Sequence, residues 1–435
     1  MLLYQIKNAV RSLRRNPILS SLLIAGIALG VAVSTAFITT YYVLAGDPIP
    51  HKSDRIFYVE LDSWSAAKPY DDNKPESPPD QITYRDMQGL MRSDIPTYQG
   101  GSFQSRVTIQ PAAVDERPFR ADLRMCFGDF FRMFDAPFQF GGPWASSADA
   151  EVEAVVVIDA ALNHRLFGGE NSVGRTLRME NRDYTIVGVL DRWRPDIKFY
   201  DLTDPYNAPE QVYLPFNHAQ PLEMNSWGNI SNWKFYQGDT YENLLQSETV
   251  WIQMWVQLDS ETQRRDYADF LDAYVLDQKK LGRFERPLNN RLLTVGEWMI
   301  EAEVVPNQAK AMLVISLLFL VVCSVNLIGI LLGKFLARAP EAGVRRALGA
   351  SRGSIFLQHL VECEVVGLAG GVIGVGLSTL ALALIDRLFD DMVFRLDLNM
   401  ILAGLSLSLV AGLIAGIYPS WRICRVAPAN YLKLQ

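Results

Sequence analysis

Four stretches of this chain stay apolar for as long as a helix needs to cross a hydrocarbon core about 30 Å thick, roughly 20 residues. They are 18–44, 311–333, 365–385 and 398–417. Between the first and second, the period of the hydrophobic positions changes repeatedly. An alternating run at 55–61 and a Pro- and Asp-rich loop at 68–80 come first, then a helix over 82–92 and a strand over 103–109. Residues 152–158 read as a buried strand, 160–167 as a helix, 175–179 and 184–190 as strands, 266–281 as a helix and 292–295 as a strand. The pattern predicts an α-helical membrane protein with four transmembrane helices plus a large mixed α/β domain inserted between the first and second. Ahead of the first span, Leu3, Ile6, Val10 and Leu13 recur at helical spacing with Lys7, Arg11 and Arg14 on another face. Residues 2–15 are therefore expected to lie in the inner interface as an amphipathic helix. From 297 to 310 the only strong breaker is Pro306, so the second span is expected to continue outward as a stalk helix.

Charge decides which side each segment faces. Lys7, Arg11, Arg14 and Arg15 precede the first span, the loop 334–352 has five basic residues against one Glu, and Arg422, Arg425 and Lys433 follow the last span. These segments are expected in the cytoplasm. The segment 47–306 carries 41 acidic and 26 basic residues, a net of −15, and belongs on the far side. So does the loop 386–397, with Asp386, Asp390, Asp391 and Asp397 against Arg387 and Arg395. Three parts result: 1–46, with the interfacial helix and the first span; 47–306, in two α/β subdomains, 47–198 and 199–306; and 307–435, with three spans and the loop 334–352. An apolar run of 27 residues at 18–44 exceeds the roughly 7–15 of a signal peptide, so the first span reads as an uncleaved anchor. Of the cysteines only Cys126 falls in the inserted segment, the others being Cys323, Cys363 and Cys424, so no internal disulfide can brace it.

Small residues four apart let membrane helices approach closely. Such pairs occur on every span: Gly26 and Gly30, Gly329 and Gly333, Gly367 and Gly371 with Gly370 and Gly374, and Gly412 and Gly416. Asn326, Glu362 and Glu364 are the polar residues at or near membrane depth, expected in a helix-to-helix hydrogen bond or at headgroup level. Trp227, Trp233, Phe235, Tyr236, Tyr241, Trp251 and Trp255 either fill a core or line a path for an amphiphile.

No catalytic set emerges. His51, His164, His218 and His359 are dispersed, and H-E-x-x-H, G-x-S-x-G and C-x-x-C are absent. Residues 169–176 read G-x-x-x-x-G-R-T, but a P-loop needs a Lys there and a helix directly after it. Arg175 stands in that place, and the sequence that follows reads as a hairpin. Any ATP hydrolysis is therefore expected on another polypeptide, and nucleic acid is not an expected partner.

The segment from Arg338 to Gly376 runs from basic to apolar without a break. Pro340 suits a first helical turn, Glu341 sits where the helix dipole favours an anion, Arg345 and Arg346 lie toward the other end, and Gly349 supplies a stop. Glu341 and Arg345 are spaced to pair along the helix, and Val344, Ala347 and Leu348 share an apolar face fit to dock a soluble partner. The run E-x-G-x-R-x-A-L-G-A from Glu341, then F-L-Q-H-L-V-E and a glycine-rich apolar stretch, is similar to the signature of FtsX-like permeases, the membrane subunits of MacB-like ABC transporters. Residues 155–190, with the turn F-G-G-E-x-x-V-G-R-T, resemble the MacB-like periplasmic core domain, and G-I-Y-P-S-W-R-x-x-R-V-x-P from Gly416 resembles the family's end.

The resemblance implies a permease of the bacterial inner membrane, both termini cytoplasmic, coupling ATP hydrolysis to export of an amphiphilic substrate. ATP and Mg belong to a cytoplasmic ABC ATPase subunit, and no cofactor is bound directly. Further implied partners are a second permease copy or paralogue, membrane lipids and, for export, a periplasmic adaptor and an outer-membrane channel. In the family the first cytoplasmic loop takes the force of ATPase closure, which points to Glu341, Gly343, Val344, Arg345, Arg346, Leu348 and Gly349, with Ala347 and Ala350 also matching. Pro340 and Ala342 depart from the Arg and Ile that usually flank the Glu, as a divergent half of a heterodimer would. The alternatives are a signalling subunit that switches a periplasmic cell-wall hydrolase and a lipoprotein-releasing permease. A membrane-bound periplasmic enzyme ranks behind them.

Overall fold

The computed structural model describes residues 2–112, 117–195, 197–201, 203, 205–235, 238, 240–388 and 397–425. Tyr236, Asp390, Asp391, Arg395 and the tail 426–435 with Lys433 lie outside the described residues. The chain forms two units, residues 47–304, and residues up to 46 together with those from 305 onward.

The inserted unit is built on one sheet. Its strands among the described residues are β1 (Ile56–Glu60), β2 (Ile82–Thr83), β3 (Tyr98–Gln110), β4 (Phe119–Cys126), β5 (Phe138–Gly141), β6 (Val155–Ile158), β7 (Thr176–Met179), β8 (Arg182–Leu190), β9 (Val212–Pro215), β10 (Val250–Gln257) and β11 (Arg291–Thr294). Their order is β11-β1-β10-β3-β4-β9-β6-β8-β5, with β2 on β10 and β7 on β3 and β8. Helices Tyr84–Leu90, Ala160–Phe167 and Glu261–Lys280 fall close to the expected positions. After the Gly169–Thr176 turn comes the hairpin β7–β8, closed by Glu180 and Asn181 at φ 47° and 60°, as a two-residue hairpin turn requires. No helix follows where a P-loop would need one.

The expected division at 198/199 does not hold. β9 lies between β4 and β6, and β10 between β1 and β3, so both halves of the segment feed one sheet. β10 is buried along its whole length, which only a central strand can be. Trp251 packs edge-on against Phe103 on one face, while Trp255 meets Tyr58 and Phe134 on the other. These two tryptophans are core, whereas Trp227 and Phe235 are exposed.

A buried ionic cluster pins the loop before β9 to the sheet. The Arg124 guanidinium on β4 donates to Asp201 and Glu210, and Lys198 Nζ lies 3.3 Å from Glu210 Oε1. Burial alone would raise the Glu210 carboxyl, but Arg124 and Lys198 overcome it and hold the group at about 2. Cross-strand from Arg291, Glu60 is in the opposite state: its carboxylate oxygen is 3.9 Å from the guanidinium, and burial pushes it from 4.5 up to about 8. The folded domain therefore keeps a proton that the unfolded chain has released, and stability falls as pH rises from about 4.5 to about 8. Glu60→Gln is expected to flatten that decline and to stabilise the protein above pH ~8 by up to about 5 kcal/mol, the bound set by a shift from 4.5 to about 8. Thermal melting across the range checks this, and an unchanged pH slope would rule it out.

The stalk helix expected from 297 is interrupted. Helix Val295–Glu301 has its own capping box, Thr294 with Glu297, and buries Val295, Trp298 and Met299 in the domain, Trp298 stacking on Tyr58 at 3.8 Å. Glu303 then takes a positive φ of 51°, and Pro306 caps a new helix. The apolar side chains that would have continued the span belong instead to the domain core.

The other unit consists of α1 (Leu2–Arg15), α2 (Pro17–Ala45), α3 (Asn307–Leu336), α4 (Ala339–Ala347), α5 (Arg352–Leu388) and α6 (Leu398–Cys424). Among the described residues α2, α3, α5 to Ile385 and α6 are long and apolar enough to cross a membrane. On α1, Gln5 and Ala9 are buried, while Ile6, Val10, Lys7 and Arg11 are exposed. A Cβ at Gly26 would lie 3.2 Å from Leu327, and one at Gly30 2.8 Å from Leu320, so α2 meets α3 there. Gly367 and Gly371 face Ser408 of α6, Gly412 and Gly416 face Glu364 and Cys363 of α5, and Gly370 and Gly374 face Ile27 and Ala28 of α2.

Gly329 and Gly333 differ from the expectation: a Cβ at either meets nothing within 4 Å, because this side of α3 turns away from the other helices of the chain. Asn326, on the same side, is also exposed. Gly374→Val would set a Cβ 2.7 Å from Ala28 O and is expected to cost about 1–3 kcal/mol in detergent melts. Gly376→Val, on the same helix with nothing within 4 Å of its Cβ, should not lower the melt, and equal losses from the two would refute this packing.

Candidate coupling site

The candidate segment from Arg338 to Ala350 folds as its sequence predicts. Pro340 starts α4, and Gly349 at φ 99° ends it, with Gly349 N–H donating to Arg346 O at 3.1 Å and Ala350 N–H to Arg345 O at 3.0 Å. Ala339, Ala342 and Gly343 are buried, Ala339 and Ala342 in one cluster with Phe335, Ile355 and Ile423. Ala342 thus serves where a small side chain lets the helix sit close. Glu341, Val344, Arg345, Ala347, Leu348 and Gly349 are exposed, Leu348 at 83%. The predicted apolar face is therefore an open ridge. Arg346 is half-buried and donates to Cys424 O at the end of α6.

The expected Glu341–Arg345 pair is not formed among the described residues. Arg345 Nη1 donates to Gln358 Oε1 on α5 at 2.7 Å, and Glu341 Oε1 lies 3.9 Å from Arg15 Nη1 on α1. An exposed pair along a helix gains only about 0.2–0.5 kcal/mol, too little to hold both side chains when α1 and α5 offer partners.

Beneath the ridge lies a junction that the sequence did not disclose. Lys334 Nζ of α3 is 2.7 Å from Glu362 Oε1 of α5, with the two side chains 1% and 5% exposed. Ser12 of α1 donates to the same carboxylate and accepts from Arg338, whose guanidinium is 3.8 Å from Glu362. His359 sits edge-on to Phe335 with ring centroids 4.5 Å apart. The root of α4 is thereby tied at once to α1, α3 and α5. Glu362 is a buried ion-pair partner rather than a headgroup-level carboxylate. Glu364 places one carboxylate oxygen, shut off from solvent without a hydrogen bond, beside Gly412. The sequence signal for the junction is Lys334 at the inner end of one span and Glu362, two residues before Glu364, entering the next. Among the described residues no group of three or more His, Cys, Asp or Glu could hold a metal ion.

Known proteins share this plan. The chain matches the MacB-like periplasmic core domain over residues 20–273 and the FtsX-like permease C-terminal region over residues 313–428. It is 26% identical to the macrolide export ATP-binding/permease protein MacB of Pasteurella multocida over 73% of this chain and 44% of that one. It is 24% identical to the pyoverdine export ATP-binding/permease protein PvdT of Pseudomonas aeruginosa, over 71% of this chain and 41% of that one. The chain thus spans less than half the length of either relative. An uncharacterized ABC transporter permease of Bacillus subtilis, YvrN, is 24% identical over 71% of this chain and 68% of its own. With the first match covering more than half its length and the second most of the remainder, the chain belongs to the family of FtsX-like permeases that carry a MacB-like periplasmic core domain.

Proposed function

We propose that this chain is the permease subunit of an ABC transporter and that it transmits the closure of a separate cytoplasmic ATPase to its periplasmic domain. The observation that carries the reading is α4: Val344, Ala347 and Leu348 stand exposed beside Glu341 on a helix whose root is locked by a buried ion pair. An apolar ridge on a clamped helix is a surface for a protein partner, and a push on it is delivered to α3 and α5 together. Two relatives are named as ATP-binding/permease proteins, which supports an ATPase partner. ATP and Mg are then held by that partner, and this chain binds no cofactor itself.

The membrane in this reading is the bacterial inner membrane, with both termini and α4 in the cytoplasm. The basic residues around α1 and α4 support that orientation. A second copy or paralogue covers the open side of α3, where Asn326 needs a hydrogen-bond partner and Gly329 and Gly333 allow a close approach. The named cargoes of the relatives, a macrolide and pyoverdine, support export of an amphiphile, handed on by an adaptor and an outer-membrane channel.

Glu341→Lys and Leu348→Glu alter exposed side chains and test the reading directly. Both are expected to reduce the ATPase copurifying with the chain, and its permease-dependent ATP hydrolysis, at least tenfold. Membrane insertion and detergent stability should not change. Normal ATPase association in both variants would remove α4 from the coupling role.

A further inference from the structure

Among the described residues the last strand, β11, leaves one edge of the sheet unpaired, because the order ends there. Its register on β1 sets Thr294 opposite Phe57 and Leu292 opposite Val59. Thr294 N–H donates to Glu297 Oε2 at 2.9 Å, so the Thr294–Phe57 pair is not a hydrogen-bonded one. Leu258 N–H donates to Arg55 O at 2.8 Å, which by alternation turns the Phe57 backbone toward β10 and gives the same answer. Two residues along from Thr294, Leu292 therefore points its N–H and C=O away from β1 and into the open.

Helix Glu261–Lys280 runs beside this edge and leaves a groove of about 400 Å³, lined on the helix by Glu261, Arg264, Arg265, Ala268 and Asp272 and on the strand by Leu292. Ala268, midway between Arg264 and Asp272, is exposed and keeps the middle of the groove open. At the Thr294 end, Arg264, whose guanidinium lies 5.1 Å over the Phe57 ring, and Arg265 are balanced by Glu261, 3.8 Å from Arg264, and by Glu297 on Thr294 N–H. Asp272, accepting from Asn290 Nδ2 at 2.8 Å, marks the other end.

We propose that this groove binds an extended peptide segment of a partner protein, which adds to β11 as a further strand through Leu292. A free strand edge flanked by a helix is the geometry by which added strands gain main-chain hydrogen bonds while a side pocket reads alternate side chains. The lining specifies the peptide further: an apolar side chain over Ala268 and a basic residue toward Asp272, with no charge called for at the Arg264 end. The proposal does not depend on how the membrane unit is driven.

Random heptapeptides displayed on phage, panned against the full-length chain in lipid nanodiscs, test it. Selected peptides are expected to alternate apolar and polar residues with a basic residue at one end. Their affinity should fall at least tenfold in Leu292→Pro, which removes the outward N–H at a position where the sheet loses no bond. It should fall as far in Ala268→Trp, which fills the groove from an exposed helix position and keeps the test valid if the proline variant folds poorly. Selection of no peptide, or of peptides indifferent to Ala268→Trp, overturns the proposal. So does a change of oligomeric state in Ala268→Trp, because the occupant is then a second copy of this chain.

Discussion

Arg124→Met is expected to destabilise the periplasmic domain by about 3–5 kcal/mol, a large part of the stability of an ordinary domain. The guanidinium is fully buried and supplies charge to both Asp201 and Glu210. Without it one ammonium, Lys198, is left against two buried carboxylates, and the loop that carries them loses its attachment to β4. Chemical unfolding followed by the fluorescence of Trp251 and Trp255, both in the core, reads the loss. Arg124→Lys should recover only part, since Nη2 alone serves both acids while Nη1 donates to Ser102 Oγ at 3.3 Å, and a lysine has no second nitrogen for that contact. A loss below about 1 kcal/mol would mean that the acids find other partners or water.

The second large effect is expected at the junction under α4. Lys334→Met leaves Glu362 charged and buried against Ser12 and Arg338, and should cost about 3–5 kcal/mol in detergent melts. Lys334→Met with Glu362→Met removes both charges and should bring the melt back to within about 1 kcal/mol of the parent chain. Coupling is expected to stay low in the double variant, because Ser12 and Arg338 have then lost the carboxylate they share. Stimulation of ATP hydrolysis by the permease separates the two effects. A single variant as stable as the parent would show that the ion pair does not hold the helices.

Much of this architecture was legible because apolar runs and periodicity report local structure. The four spans, α4 with its Pro340 start and Gly349 stop, and the β7–β8 hairpin all follow from residues near in sequence. β10 was hidden because a central strand buried on both faces shows no alternation. β4 was legible as alternation, Phe119, Ala121, Leu123 and Met125 against Arg120, Asp122 and Arg124, but that pattern promises a solvated polar face, and Arg124 is instead among the most buried residues of the domain. The break after Glu301 escaped notice since Trp298 and Met299 are as fit for a membrane helix as for the core they enter. At the candidate site the exposed face was readable along one helix. The Lys334–Glu362 pair was not, because α4 intervenes and only tertiary packing brings the two together.

The segments that lead into and out of the periplasmic domain meet within it. Val295 N–H donates to Ser53 O at 3.3 Å, and Ile49 and Val304 lie in one hydrophobic cluster. A domain that begins and ends at one place is a cassette: it can be exchanged for another fold without re-threading the helices that present it. Chimeras that keep α2 and α3 and graft a different head between Gly46 and Val305 are the natural way to give this membrane frame a new cargo or listener.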